Sequence, residues 1–129
     1  HKAAPKARRI EPVTVVLAED AEERFLLQQR PEKGLLAGLW QPLLWEGEAL
    51  SAEEVCGQLE ALGLACESIE PLPAAKHIFS HIEWRMSGYS VCVGSAEAPA
   101  GCVWASREQL QNEYTLPGAF KAYKKKLGL

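Results

Sequence analysis

The sequence predicts an α+β fold, a mixed or antiparallel sheet with packed helices. Three observations predict it. Short apolar runs rich in β-branched residues recur along the chain, and one alternates with a period of two. A single segment, Ser51 to Leu62, has both the period and the end signals of a helix. The elements come in the order β-β-(loop-β)-α-β-β-β-β-α.

Val13 to Leu17 is the first apolar run and Phe25 to Gln29 the second. The polar stretch Ala18 to Glu23 between them predicts a hairpin turn. Arg30-Pro31-Glu32-Lys33-Gly34 breaks the pattern. Leu35 to Trp45, interrupted by Gly38 and Pro42, reads as a loop feeding a short strand. In Ser51 to Leu62, Ser51 and Glu54 form a capping box. Val55, Leu59 and Leu62 make one apolar face, and Gly63 supplies the stop. Cys66 to Ile69 predicts a short strand ended by Pro71 and Pro73. Ala75 to Phe79 and Ile82 to Val93 predict two strands joined at Ser80-His81. In the second, Ile82, Trp84 and Met86 alternate with Glu83, Arg85 and Ser87, which predicts a half-buried strand. Val103 and Trp104 predict a last strand. Ser106 caps a short helix through Leu110, and Pro117 opens a final one.

The chain has 129 residues and a mass of 14.2 kDa, the size of one domain. Apolar residues make up 47% and charged ones 24%, which excludes disorder over most of its length. A core of this size needs no disulfide or metal. Residues 1–9 are basic and small and predict a linker; residues 10–129 predict the domain. The start at His1 leads us to expect a domain cut from a larger parent. No stretch has the length of a membrane helix, and no signal peptide is visible.

Net charge is −3, which argues weakly against nucleic acid. Its distribution says more. Residues 34–75 hold seven acids and no Lys or Arg, so the remainder carries 14 basic against 10 acidic residues. That basic part suits a phosphate backbone. Cys56, Cys66, Cys92 and Cys102 form no C-x-x-C pair and are expected as buried, reduced thiols in a cytosolic protein.

The helix bears on function through the spacing around it. Anchored on Gly63, the spacing G-x5-E-x7-R-E-U-x-E-E-x-G-U (U aliphatic) places Pro42 at the opening glycine and Glu48 at the first glutamate. Cys56-Gly57 then replaces Arg-Glu, Gln58 the aliphatic residue, and Glu60-Ala61 the Glu-Glu pair. This resembles the Nudix hydrolases, whose box glutamates hold divalent ions for pyrophosphate hydrolysis. With two of the three carboxylates of its helical part missing, Glu60 alone cannot hold Mg²⁺ tightly or activate water. A Nudix-like fold without the hydrolase chemistry is expected.

Three further motifs are more distinctive: Gln29-Arg30-Pro31-x-x-Gly34-Leu35-Leu36-Ala37-Gly38-Leu39-Trp40, His77-x-Phe79-Ser80-His81, and Leu116-Pro117-x-Ala119-Phe120. Together they resemble the C-terminal domain of MutY-type adenine DNA glycosylases over most of residues 10–129. The family commonly has Trp-Glu-Phe-Pro where this chain has Trp40-Gln41-Pro42-Leu43.

The resemblance implies a noncatalytic, Nudix-like domain that reads 8-oxoguanine opposite a mispaired adenine in base excision repair. Catalysis and a [4Fe–4S] cluster are then expected in an N-terminal glycosylase domain, and neither cofactor nor metal in this fragment. Duplex DNA containing 8-oxoguanine opposite adenine, and that glycosylase domain, are the expected partners. No membrane partner, a monomer and a bacterial-type cytoplasmic location are also expected. Phe79, Ser80 and His81 become the lesion-reading residues, flanked by Lys76 and His77.

The chemistry of Ser80 can be argued independently. Guanine presents N7 as an acceptor; 8-oxoguanine presents an N7–H donor and a C8 carbonyl. A serine hydroxyl accepts from N7–H while a backbone N–H donates to the new oxygen. One unpaired buried polar group costs roughly 1–3 kcal/mol, so about a ten- to hundredfold preference is within reach of this site. Phe79 offers a ring for stacking or wedging. His81 holds the turn or touches base or phosphate, and Lys76 suits a phosphate. Apart from the resemblance, Phe79 reads as a core strand residue, Ser80 as a turn residue and His81 as a structural histidine. The four tryptophans read as core. The cluster Lys121 to Lys126 reads as a solvated helix end.

Two rivals stand beside this reading. An active Nudix pyrophosphatase is opposed by the carboxylate count. A protein-interaction module would need an exposed apolar patch away from the Phe79-Ser80-His81 turn.

Overall fold

The computed structural model describes residues 7–129. It contains β1 (Arg9–Glu19), β2 (Phe25–Gln29), β3 (Trp40–Glu46), α1 (Ala52–Ala61), β4 (Cys66–Ile78), β5 (Ile82–Val93), β6 (Cys102–Ala105), α2 (Arg107–Asn112) and a 3₁₀ segment (Gly118–Tyr123). The six strands form one sheet in the order β4-β5-β1-β3-β2-β6. β1 and β5 run parallel, in register from Arg9 opposite Ile82 to Glu19 opposite Cys92. Every other neighbouring pair is antiparallel. The sheet is mixed and carries helices, the α+β class that the sequence predicts.

β1 is central. Its residues Val13 to Ala18 are all buried, so both faces of the strand are covered. On one face Val13, Val15 and Leu17 meet Trp84, Met86, Phe120 and Leu127. On the other Val16 and Ala18 meet Val91 and Val93 beneath Val55, Leu59 and Leu64 of α1 and its exit. Thr14 is the polar exception. Its hydroxyl donates to the Glu48 carbonyl (2.8 Å) and accepts from Leu50 N–H (2.9 Å), so burial leaves it satisfied.

α1 forms as its sequence dictates. The Ser51 side chain accepts from Glu54 N–H while the Glu54 carboxylate accepts from Ser51 N–H. Those bonds hold the Glu54 carboxyl below its ordinary range. Gly63 then turns with φ +84°. α2 repeats the box with Ser106 and Gln109.

Several expectations need correction. Cys66–Ile69 and Ala75–Phe79 are not two strands but fall along one, β4, in which Pro71 pairs with Tyr89 and Pro73 lies within a register shift between Leu72 and Ala75. A bulge accommodates Pro73, and the edge position of β4 tolerates Pro71. The strand β1 already begins at Arg9, within the stretch read as a linker, because Arg9 N–H reaches the His81 carbonyl at 2.9 Å. Residues 1–6 of that stretch lie outside the described residues. The final helix is a 3₁₀ segment.

The cysteine expectation fails in two ways. Cys56 and Cys66 form a disulfide, because the turn at Gly63 returns the chain beside the helix with 5.5 Å between their Cα atoms. Cys92 is exposed, since it lies on β5 between the inward Val91 and Val93. Of the tryptophans only Trp84 is fully buried; Trp40, Trp45 and Trp104 are half-buried.

Gly88 marks the tightest contact in the core. A Cβ there would stand 2.6 Å from the Tyr123 ring. We expect Gly88→Ala to destabilise the protein by about 1–3 kcal/mol through overpacking. Urea denaturation measures this; an unchanged midpoint would show that the ring moves aside freely.

Candidate functional site

Strands β4 and β5 form a long hairpin whose tip is Phe79-Ser80-His81. Phe79 N–H donates to the Ile82 carbonyl at 2.7 Å, leaving Ser80 and His81 as the two residues beyond it. Both are exposed. The His81 carbonyl also accepts from Arg9 N–H, so the tip is bonded to its neighbouring strand as well as to its own hairpin. A cleft of about 520 Å³ lies beside it, lined by Ala7, Arg9, His81 and Ile82.

Beneath the tip is an aromatic column. The His77 and Phe79 rings meet edge to face at 4.8 Å, and Phe79 meets Trp84 likewise at 5.0 Å. Phe120 follows Trp84 at 6.2 Å. Phe79 is therefore half-buried and packed against the core. It anchors the tip by an edge-to-face contact of the kind worth about 0.5–1.5 kcal/mol beyond its burial. His77 points to the same face, and Lys76 to the opposite one, where it is exposed.

The structure thus brings Phe79, Ser80, His81 and His77 together at one hairpin end and sets Lys76 on its flank. The motif Gln29 to Trp40 is elsewhere in role. Arg30 is buried, and its guanidinium donates to the Leu35 carbonyl (2.8 Å) and to Gln41 Oε1 (3.1 Å) and pairs with Glu46. It lies 5.4 Å from the Trp84 ring centroid. Arg30 N–H bonds the Leu39 carbonyl and Gly38 N–H the Pro31 carbonyl. Leu36 and Gly38 have φ of +52° and +70°. The loop is wound around a buried arginine and supports the column from below.

Glu83 was missed by the alternating pattern, which turns it to solvent. It is buried instead, with its carboxylate accepting from Arg85 Nε at 2.9 Å and from Arg8 Nη2 at 3.4 Å. The bond from Arg85, and then the guanidinium charge, hold its carboxyl below the ordinary range against the opposing effect of burial. A Glu two residues from an Arg on a strand was the available signal, since both lie on one face.

Of the box positions, Glu48 and Glu60 are exposed, and Cys56 lies in the disulfide. Among the described residues no three His, Cys, Asp or Glu side chains are grouped to hold a metal. No helix among them is long and apolar enough to cross a membrane.

A family model described as NUDIX domain matches residues 14–126. An adenine DNA glycosylase of Mus musculus is 36% identical over 98 residues, which are 67% of this chain and 18% of that protein. The chain spans less than a fifth of the length of the curated relatives it matches. Among solved structures, the C-terminal domain of mouse MUTYH, in complex with human PCNA, matches with TM-score 0.66 and 23% identity, covering 90% of this chain and 88% of that one. The MutT protein of Methanosarcina mazei Go1 matches with TM-score 0.70 and 16% identity, covering 96% of both chains. At these identities the two structures speak for fold alone.

Ionised Glu83 stabilises the fold above the unfolded carboxylate range near pH 4.5, and that contribution is lost as pH falls through its lowered value. We expect Glu83→Gln to flatten the acid limb of stability against pH. Denaturant melts from about pH 2 to 7 test this, and curves that stay parallel would sink it.

The family match, the fold and the glycosylase relatives agree: the chain belongs to the NUDIX domain family, as a Nudix-like domain of the MutY type.

Proposed function

We propose that this domain is the lesion-reading part of an adenine DNA glycosylase, recognising 8-oxoguanine opposite a mispaired adenine in duplex DNA. The observation that carries the reading is the exposed Ser80-His81 tip on a hairpin braced from beneath. A reading head must reach a base edge and hold its geometry when it does. The Ser80 hydroxyl and a backbone N–H of the turn supply the acceptor and donor that distinguish 8-oxoguanine from guanine. His81 and Lys76 contribute contacts to base or phosphate, while Phe79 and His77 hold the turn.

The domain is noncatalytic in this proposal, and adenine removal belongs to an N-terminal glycosylase domain of the same protein. The exposed Glu48 and Glu60 are too few to position a divalent ion and its water. The [4Fe–4S] cluster expected of the parent also belongs to that other domain. The cysteines here do not fit one, because Cys56 and Cys66 are bonded to each other. The domain acts as a monomer on DNA, with no membrane partner, at a cytoplasmic, nucleoid-associated location.

An NMR titration with two duplexes, identical except for 8-oxoguanine or guanine opposite adenine, tests the reading. Shifts concentrated on residues 76–82 and larger for the lesion are expected. Ser80→Ala should lower the lesion preference about tenfold or more, the value of one unpaired polar group. A turn that responds equally to both duplexes, or not at all, would refute it.

A further inference from the structure

Rows of paired residues cross the hairpin base from β1 to β4. Ile10, Glu83 and Ile78 make one row, and Pro12, Arg85 and Lys76 the next. Paired residues on adjacent strands share a face, and positions two apart share it again. All six therefore lie on the α1 side of the sheet. Yet α1 packs at the other end of that face, over Val91 and Val93. Near the turn the face is open: Ile10 and Ile78 are 51% and 45% exposed. A shallow cleft of about 420 Å³ lies between Lys76 and Arg85, with Glu83 and Ser87 in its lining.

We infer that this open face is a phosphate-binding track for DNA, formed by Arg8, Lys76 and Arg85 around Glu83, beside the Ser80 turn. The inference rests on the DNA reading above and extends it from the base to the backbone. Charge complementarity chooses the occupant. Three cations surround one acid here, whereas the stretch 34–75, which includes α1, carries seven acids and no cation. A duplex approaching the turn meets the basic end and is repelled by the acidic one.

Glu83 gives the track its geometry. Its carboxylate engages Arg85 at Nε, which leaves both Nη groups outside that bond on a side chain that is 62% exposed. An arginine held in that way loses less side-chain freedom when it meets a phosphate, and its fork suits phosphate oxygens. Glu83 holds Arg8 from the other side.

The test measures association with the two duplexes by fluorescence anisotropy from about 20 to 200 mM salt. Arg85→Gln and Lys76→Gln are compared with the protein as it is and with Lys125→Gln, in the C-terminal segment on the opposite face. Removing one phosphate contact lowers the slope of log K against log salt by about 0.9. The affinity loss of each track variant should therefore be about threefold larger at 50 than at 200 mM salt, equally for both duplexes. Lys125→Gln should leave the slope unchanged. Lys76 is exposed, so its variant reports binding without a change of fold.

A lesion preference that persists while both slopes stay unchanged would overturn the track and spare the Ser80 reading. Lowered slopes without any lesion preference would support the track and refute the reading. Absence of association at about 20 mM salt would overturn both. Displacement of DNA by inorganic phosphate at constant ionic strength would mark an isolated anion pocket and overturn a track.

Discussion

The parallel pairing of β1 with β5 is the constraint on which the rest depends. β1 is covered on both faces from Val13 to Ala18, so its sequence has to be apolar almost without relief. Near-continuous apolar runs of this kind are what strands buried on both faces show. One face of the pair receives the C-terminal segment through Phe120 and Leu127, and the other receives α1 through Val55 and Leu59. The same register brings Arg9 to His81 and Arg8 to Glu83. The hairpin tip is thus fixed by the strand that also organises both cores.

Rigidity and access are divided within the site. The rings of Phe79, Trp84 and Phe120, with Arg30 over Trp84, stack inward from the tip. Ser80 and His81 remain outside that column. Such a division lets a short turn present polar atoms at low entropic cost, since ordering is already complete before any ligand arrives. α1 shows the complementary case. Its capping box and buried stripe serve packing, while Gly57 and Ala61 occupy two of the Nudix carboxylate positions and Cys56 that of the arginine.

Local chemistry was legible in the sequence. The capping box at Ser51, the cap at Ser106, the stop at Gly63 and the turn at Ser80-His81 follow from residues within a few positions of one another. Long-range pairing was not. Ala75 to Phe79 and Cys66 to Ile69 looked separate because prolines interrupt them, and only the partner strand β5 makes them continuous. Glu83 looked solvent-facing because alternation reports the face of a strand, not whether arginines from elsewhere close over it. Cys56 and Cys66 follow no short spacing rule; the reversal at Gly63 brings them together. Ser80 and His81 are candidate site residues through family resemblance, whereas Arg85 became a candidate only when the open sheet face was visible.

β4 has a further consequence through its place at one margin of the sheet. An outermost strand of 13 residues offers free backbone donors and acceptors to any passing chain. Pro71 and Pro73 carry no N–H donor, and the register shift between Leu72 and Ala75 bends the strand away from flatness. At the opposite margin β6 is only four residues long. Neither border makes a good template for strand addition from a second molecule. A domain with so long a hairpin at its margin is thereby protected against self-association along that same hairpin.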